Sequence, residues 1–207
     1  MFLNVENVEL KIKSKILLKK QKFEIKKGQN MLVIGPSGSG KTSLLNIMAG
    51  LVRPSSGEGI FQNKKYSSLT DNQIDSLRAN KFGFIFQKIN LIKHLTVEQN
   101  ILLAQCGNLS KNMAKILNML DISDKTKEKA MNLSVGEAQR VAIARGLVNQ
   151  PEIIFADEPT SSLDDKNTKN VIDLILSLAK EHNSSLVVCT HDKRIMNFFK
   201  NIIEISL

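Results

Sequence analysis

Cysteine is scarce. Cys106 and Cys189 cannot build a disulfide framework, and their wide separation offers no Cys-x-x-Cys metal pair. Both read as buried thiols in a reducing compartment. Prolines number only 4, and no Pro-rich linker, low-complexity tract or internal repeat divides the chain. No window reaches the unbroken apolar length of a membrane helix. The start, Met1 through Glu6, lacks the basic segment and apolar run of a secretory signal. A cytoplasmic location is expected, with any membrane link made through a partner or the surface. Acids are few beside bases, 20 against 29, so the net charge is +9 at pH 7. That excess suits nucleic acid, an anionic lipid face or a phosphorylated ligand. Lysines crowd the first part (Lys11, Lys13, Lys15, Lys19, Lys20, Lys22, Lys26, Lys27) without regularly interleaved aromatics. The plainer reading is a solvated strand edge that discourages aggregation.

What is present is the composition of an ordinary globular protein, 42% hydrophobic and 24% charged over 207 residues. That length fits one domain with at most an elaborated subdomain, and excludes a tandem of two catalytic modules. β-forming stretches recur at 2–8, 16–25, 31–34, 59–61, 82–86, 153–156, 186–190 and 202–205. Apolar periodicity predicts helices over 42–49, 91–103, 113–120, 135–149 and 166–181, with Gly50 stopping the first. A β-rich beginning followed by alternating strands and helices argues for an α/β fold with a mainly parallel sheet. Residues 88–132, more polar and mostly helical, interrupt that alternation as an inserted subdomain. The division expected is one domain over 1–207, with a core of 1–87 and 133–207.

Directly after the apolar strand at 31–34 comes Gly35-Pro36-Ser37-Gly38-Ser39-Gly40-Lys41-Thr42, then Ser43 and a helix. The G-x-x-x-x-G-K-[ST] pattern therefore stands in the strand–loop–helix setting it requires. Its glycines let successive backbone N–H groups turn toward phosphate oxygens, and the helix adds its positive end. Lys41 is expected to neutralise the β- and γ-phosphates, and the Thr42 hydroxyl to ligate Mg²⁺. A second apolar strand, Ile153-Ile-Phe-Ala, ends in adjacent carboxylates, Asp157 and Glu158. Strand ends of a parallel sheet converge on the ligand, so Asp157 would hold Mg²⁺ and Glu158 would deprotonate an attacking water. Alone, an acidic pair at a strand end is usually only the start of a loop. Beside the phosphate cradle that view recedes. Finally, Ser134-x-x-Glu137 reads as a capping box opening a helix, with free N–H groups beside Ser134 and Gly136.

Leu133-Ser-Val-Gly-Glu137, followed by Ala138-Gln139-Arg140, completes a set that resembles the nucleotide-binding subunit of an ABC transporter, in the family's order and over nearly the full chain. The fold implied is a P-loop NTPase (ABC ATPase) core with an N-terminal antiparallel β-subdomain and an inserted α-helical subdomain. The resemblance implies that Gln87 senses the γ-phosphate, ligates Mg²⁺ and faces the membrane partner. It further implies that Asp164 lies in a loop crossing the dimer interface and that His191 is the switch histidine at the γ-phosphate. Ser134, Gly136 and Glu137 would grip the γ-phosphate bound to another copy, so two copies would sandwich two Mg·ATP head to tail. The run Leu77-Arg78, Phe82 through Gln87, Asn90-Leu91, Leu95-Thr96 and Glu98 to Asn100 is most similar to the lipoprotein-releasing, macrolide-exporting and antimicrobial-peptide-resistance group. An ATPase driving a transmembrane permease from the cytoplasmic face of the plasma (inner) membrane follows, of export or mechanotransmission type, with no nucleic acid partner. Two other readings compete. A soluble ABC ATPase acting on ribosomes or nucleic acid usually carries two nucleotide domains or long coiled-coil insertions, which do not fit here. An ATP clamp without turnover is opposed by the complete Asp157, Glu158 and His191 motifs. A P-loop kinase has no use for the Ser134 helix.

The sequence departs from the family pattern in four places. No aromatic stands between Phe2 and Phe23 to stack on adenine, and Ile12 lies near the expected position. Looser base selectivity or weaker affinity is the expectation. Val135 replaces the first of two usual glycines, Glu137 stands where Gln is commonest, and the helical insert looks short.

Overall fold

The structure, a computed structural model, describes residues 2–106, 110–161 and 163–206. Residues 107–109 of the expected helical segment, and Ser162 before Asp164, lie outside these. Two sheets organise the chain. An antiparallel one, in the order β2-β1-β4-β5, is built from β1 (Leu3–Ile12), β2 (Lys15–Ile25), β4 (Ser56–Phe61) and β5 (Lys64–Lys65). The other, in the order β6-β7-β8-β3-β9, joins β3 (Asn30–Ile34), β6 (Phe82–Ile85), β7 (Ile153–Asp157), β8 (Ser185–Thr190) and β9 (Asn201–Glu204). All pairings in this second sheet are parallel.

Parallel strands covered on both faces become continuous apolar runs. Strand β3 shows this: Met31 to Ile34 are all buried, and alternate side chains serve different layers. Leu32, Ile154, Ala156, Leu186 and Val188 face a core with α5 (Val135–Leu147) and α6 (Asp165–Glu181). Met31, Val33, Ile153, Phe155 and Val187 face α1 (Lys41–Met48) and the antiparallel sheet. In that second layer Phe61, Phe82 and Phe155 meet edge to face, with ring centroids 4.9 and 5.4 Å apart. The lysine-rich β2 is an edge strand with Lys19, Lys20 and Lys22 exposed, and the opposite edge, β5, is Lys64–Lys65. Cys189 is buried as expected, but Cys106 is only partly so.

Two helices differ from the sequence reading. Helix α2 (Asp71–Lys81) was not expected, because only Ile74 of it is buried and no apolar stripe marks it. Its signal was the capping box, Thr70 with Gln73, supported by Asp71 in the first turn and Arg78 and Lys81 in the last. The helix expected over 91–103 is only α3 (Val97–Leu102), capped by Thr96 and Gln99. Asn100 is the reason. Fully buried, it accepts the Ile92 N–H at 2.7 Å, and its amide nitrogen lies 3.1, 3.3 and 3.0 Å from the carbonyls of Ile92, Leu95 and Thr96. The preceding segment is thereby held as a turn. Helix α4 (Ser110–Met119) follows, and Ile116, Leu117 and Leu120 join Val97 and Ile101 against α5. Among the described residues no helix is long and apolar enough to cross a membrane. Replacing Asn100 by Ala strands the Ile92 N–H and should destabilise the fold by about 1–3 kcal/mol, read as a lowered denaturant midpoint.

Candidate active site

Strands β3, β7 and β8 end at the same edge of the parallel sheet, and their following loops meet there. The loop after β3 folds back over its own lysine. Lys41, almost wholly buried, donates from Nζ to the carbonyls of Gly35 and Pro36, each at 2.9 Å. Two glycines make the turn. Gly38 (φ 83°) would carry a Cβ into open space, so at that position only backbone faces the cavity; Gly40 (φ 92°) would drive a Cβ to 2.4 Å from the Leu17 carbonyl. The Ser39 hydroxyl is buried without a partner in this cradle.

Thr42 Oγ1 lies 3.2 and 3.0 Å from the two carboxylate oxygens of Asp157. Burial pushes the Asp157 carboxyl above its ordinary range, against the bond from Thr42. Glu158, the next residue, adopts φ 49°, uncommon for a side chain of this kind. Its N–H donates to the Cys189 carbonyl at 2.8 Å, which holds the unusual backbone and aims the carboxylate across the end of β8. There Thr190 Oγ1 donates to Oε2 at 2.7 Å, while Oε1 accepts the His191 N–H at 3.1 Å and His191 Nδ1 at 2.8 Å. Since a carboxylate can only accept, Nδ1 carries the proton. The Lys41 ammonium stands 3.9 Å from the same Oε1.

Gln87 donates to Ser161 Oγ at 3.3 Å, and Ser161 Oγ to the Glu158 carbonyl at 3.2 Å. A cavity of about 450 Å³ is lined by Ser37, Gly38, Gly40, Lys41, Thr42, Ser43, Gln87, Glu158 and His191, and closed on one side by Lys15, Ile16 and Leu17. Ile16, rather than the expected Ile12, thus reaches the cavity wall. The turn at Lys13 sets Ile12 opposite Lys15 in the hairpin, and its side chain is 57% exposed.

Ser134, Gly136, Glu137 and Asp164 do not line this cavity. Ser134 caps α5 as expected: its Oγ accepts the Glu137 N–H at 3.3 Å and donates to Glu137 Oε2 at 2.7 Å. Those bonds, foremost the Ser134 hydroxyl, hold the Glu137 carboxyl below its ordinary range, and Lys125 lies 3.4 Å away. Val135 is 72% exposed and a Cβ at Gly136 would meet nothing, so this helix start is an open face. Asp164 caps α6 by accepting the Asn167 N–H at 2.9 Å. Nothing in the residue pattern marks Thr190 as the holder of Glu158, because a threonine at the end of a buried strand reads as an ordinary β-former.

A family profile described as ABC transporter matches residues 18–161. The chain belongs to that family. It is 36% identical over 210 residues to the lipoprotein-releasing system ATP-binding protein LolD of Aquifex aeolicus, covering 99% of this chain and 93% of that one. Against the macrolide export ATP-binding/permease protein MacB of Campylobacter jejuni it is 40% identical over 208 residues, 98% of this chain but only 32% of that relative. The dimeric structure of the ABC transporter cassette MJ0796 of Methanocaldococcus jannaschii aligns with a TM-score of 0.85 at 36% identity, covering 99% of this chain and 94% of that one. The same cassette has also been solved as a post-hydrolysis dimer bound to ADP and Pi, with equal coverage. The ABC ATPase fold expected from the motifs is therefore the fold found. Thr190→Val removes the hydroxyl that anchors Glu158 and should lower turnover by about tenfold or more while leaving ATP affinity near wild type, measured by phosphate release and nucleotide titration.

Proposed function

We propose that the chain is the ATP-hydrolysing subunit of a membrane transporter, acting as a head-to-tail pair that encloses two ATP molecules. One observation carries this reading. Lys41, Thr42, Glu158, Gln87 and His191 line one cavity and Asp157 is hydrogen-bonded to Thr42 at its side, while the open start of α5 at Ser134 and Gly136 lies outside it. A single copy therefore presents two incomplete halves, and a second copy placed head to tail supplies the missing one. The match to dimeric cassettes supports that arrangement.

The donor set suits Mg²⁺. Thr42 and Asp157 offer only oxygen, and no group of three His, Cys, Asp or Glu among the described residues could form a cage of its own. Such a site fits a cation that keeps phosphate and water oxygens about it. Thr42, Asp157 and Gln87 would hold it, and when bound it neutralises charge on the β- and γ-phosphates. Lys41 exchanges the Gly35 and Pro36 carbonyls for phosphate oxygens. Glu158, released from His191, takes a proton from water as the water oxygen bonds to the γ-phosphorus. The bond from that phosphorus to the β,γ-bridging oxygen breaks, and its electrons leave with ADP. His191 then points its ring toward the γ-phosphate. Asp164 and the Ser134 helix act across the seam.

The partner is a transmembrane permease, and the place of work is the cytoplasmic face of the membrane. The names of LolD and MacB, and the lack of a spanning helix among the described residues, support this. Glu158→Gln should abolish hydrolysis and trap ATP-dependent dimers, read by phosphate release and by light scattering with and without Mg·ATP. Wild-type turnover in that variant would remove Glu158 from its role. The wall of Lys15, Ile16 and Leu17 offers the base no ring to stack on, which forgoes about 1 kcal/mol. ATP and GTP should therefore bind within about threefold of each other in competition titrations.

A further inference from the structure

The catalytic carboxylate is tied by hydrogen bonds to residues on either side of Asp164, and the tie runs through a residue no motif includes. Beyond Thr190, which holds Glu158 Oε2, the Asp192 N–H donates to Thr190 Oγ1 at 3.0 Å. Asp192 is buried, and its Oδ2 accepts from Thr160 Oγ1 at 3.0 Å and from Arg194 Nη2 at 2.8 Å. Its Oδ1 accepts Arg194 Nε at 2.8 Å and the Arg194 backbone N–H at 3.0 Å. From the same guanidinium, Nη1 donates to Asp165 Oδ1 at 2.6 Å and Nη2 to the Leu163 carbonyl at 3.1 Å. One rigid fork thus spans the segment after His191 and both neighbours of Asp164.

We propose that Arg194 is a positioning residue for hydrolysis: it locks the segment carrying Asp164 to the segment carrying His191, so that docking of a second copy sets Glu158. This rests on the reading of the site given above. The geometry is what distinguishes it from an ordinary surface pair. An exposed pair contributes little, but here one partner is a buried carboxylate with both oxygens filled, gripped through two nitrogens. The guanidinium plane fixes the directions of all its donors at once, which an ammonium cannot do. Asp165 is 89% exposed, so its pairing with Arg194 does not hold up the core.

The test compares Arg194→Gln, Arg194→Lys and Asp165→Asn with the wild-type chain. Measured on dilute protein, ATP affinity should stay within about twofold in all three, since Arg194 does not line the nucleotide cavity. Turnover of Arg194→Gln should fall about tenfold or more, and the protein concentration needed for ATP-dependent pairing in a Glu158→Gln background should rise by a similar factor. Arg194→Lys should remain closer to the Gln variant than to wild type. Wild-type turnover in Arg194→Gln, or full rescue by Lys, would overturn the proposal. So would a loss of ATP affinity parallel to the loss of turnover, which marks a merely structural role. If Arg194→Gln fails to fold, Asp165→Asn decides: turnover lowered at unchanged melting temperature supports the clamp, and unchanged turnover overturns it. Absence of ATP binding by the wild-type chain would instead defeat the underlying reading of the site, before any variant is compared.

Discussion

Strand β8 lies between β3 and β7, and the contacts among Lys41, Thr42, Asp157, Glu158 and His191 follow from that spacing. Neighbouring strands stand about 4.8 Å apart, so the phosphate cradle after β3 and the carboxylates after β7 are separated by roughly 10 Å across the end of β8. Thr42 and Lys41, on the first turn of α1, reach over that gap toward Asp157 and Glu158. The end of β8 fills it from below with the Cys189 carbonyl, the Thr190 hydroxyl and His191. Were β3 and β7 adjacent, the cavity between the Lys41 loop and Glu158 would close. Parallel pairing in turn demands crossover helices on both faces, which is why the runs Met31 to Ile34, Ile153 to Ala156 and Leu186 to Val188 are apolar and buried.

Much of this was legible in the sequence, for a physical reason. A parallel strand buried on both faces must be an unbroken apolar run, and a phosphate cradle must have glycines at fixed offsets. The signals for β3, β7, β8 and the loop from Gly35 to Thr42 are therefore strong and local. The helices that cover little core are another matter. In α2 only Ile74 is buried, and it left a trace only in its capping box. The turn before α3 depends on Asn100 meeting backbone groups of residues 92, 95 and 96, a packing fact that periodicity cannot express. The left-handed backbone of Glu158 is likewise invisible in its residue type.

The polar side of the site is organised differently from the apolar core beneath it. Burial raises the Asp157 carboxyl above its ordinary range, whereas hydroxyl, backbone and guanidinium donors hold Glu137 and Asp192 below theirs. The two site carboxylates are themselves held differently, Asp157 by the Thr42 hydroxyl and Glu158 by a hydroxyl, a backbone N–H and a ring N–H.

The two thiols differ in accessibility. Cys189 is sealed within β8, and burial raises its thiol well above the ordinary range, so alkylating reagents will spare the strand whose end holds Glu158. Cys106 is the sulfur a probe can reach. A dye or spin label placed there tests the proposed pairing without any engineered cysteine and away from the residues that line the cavity.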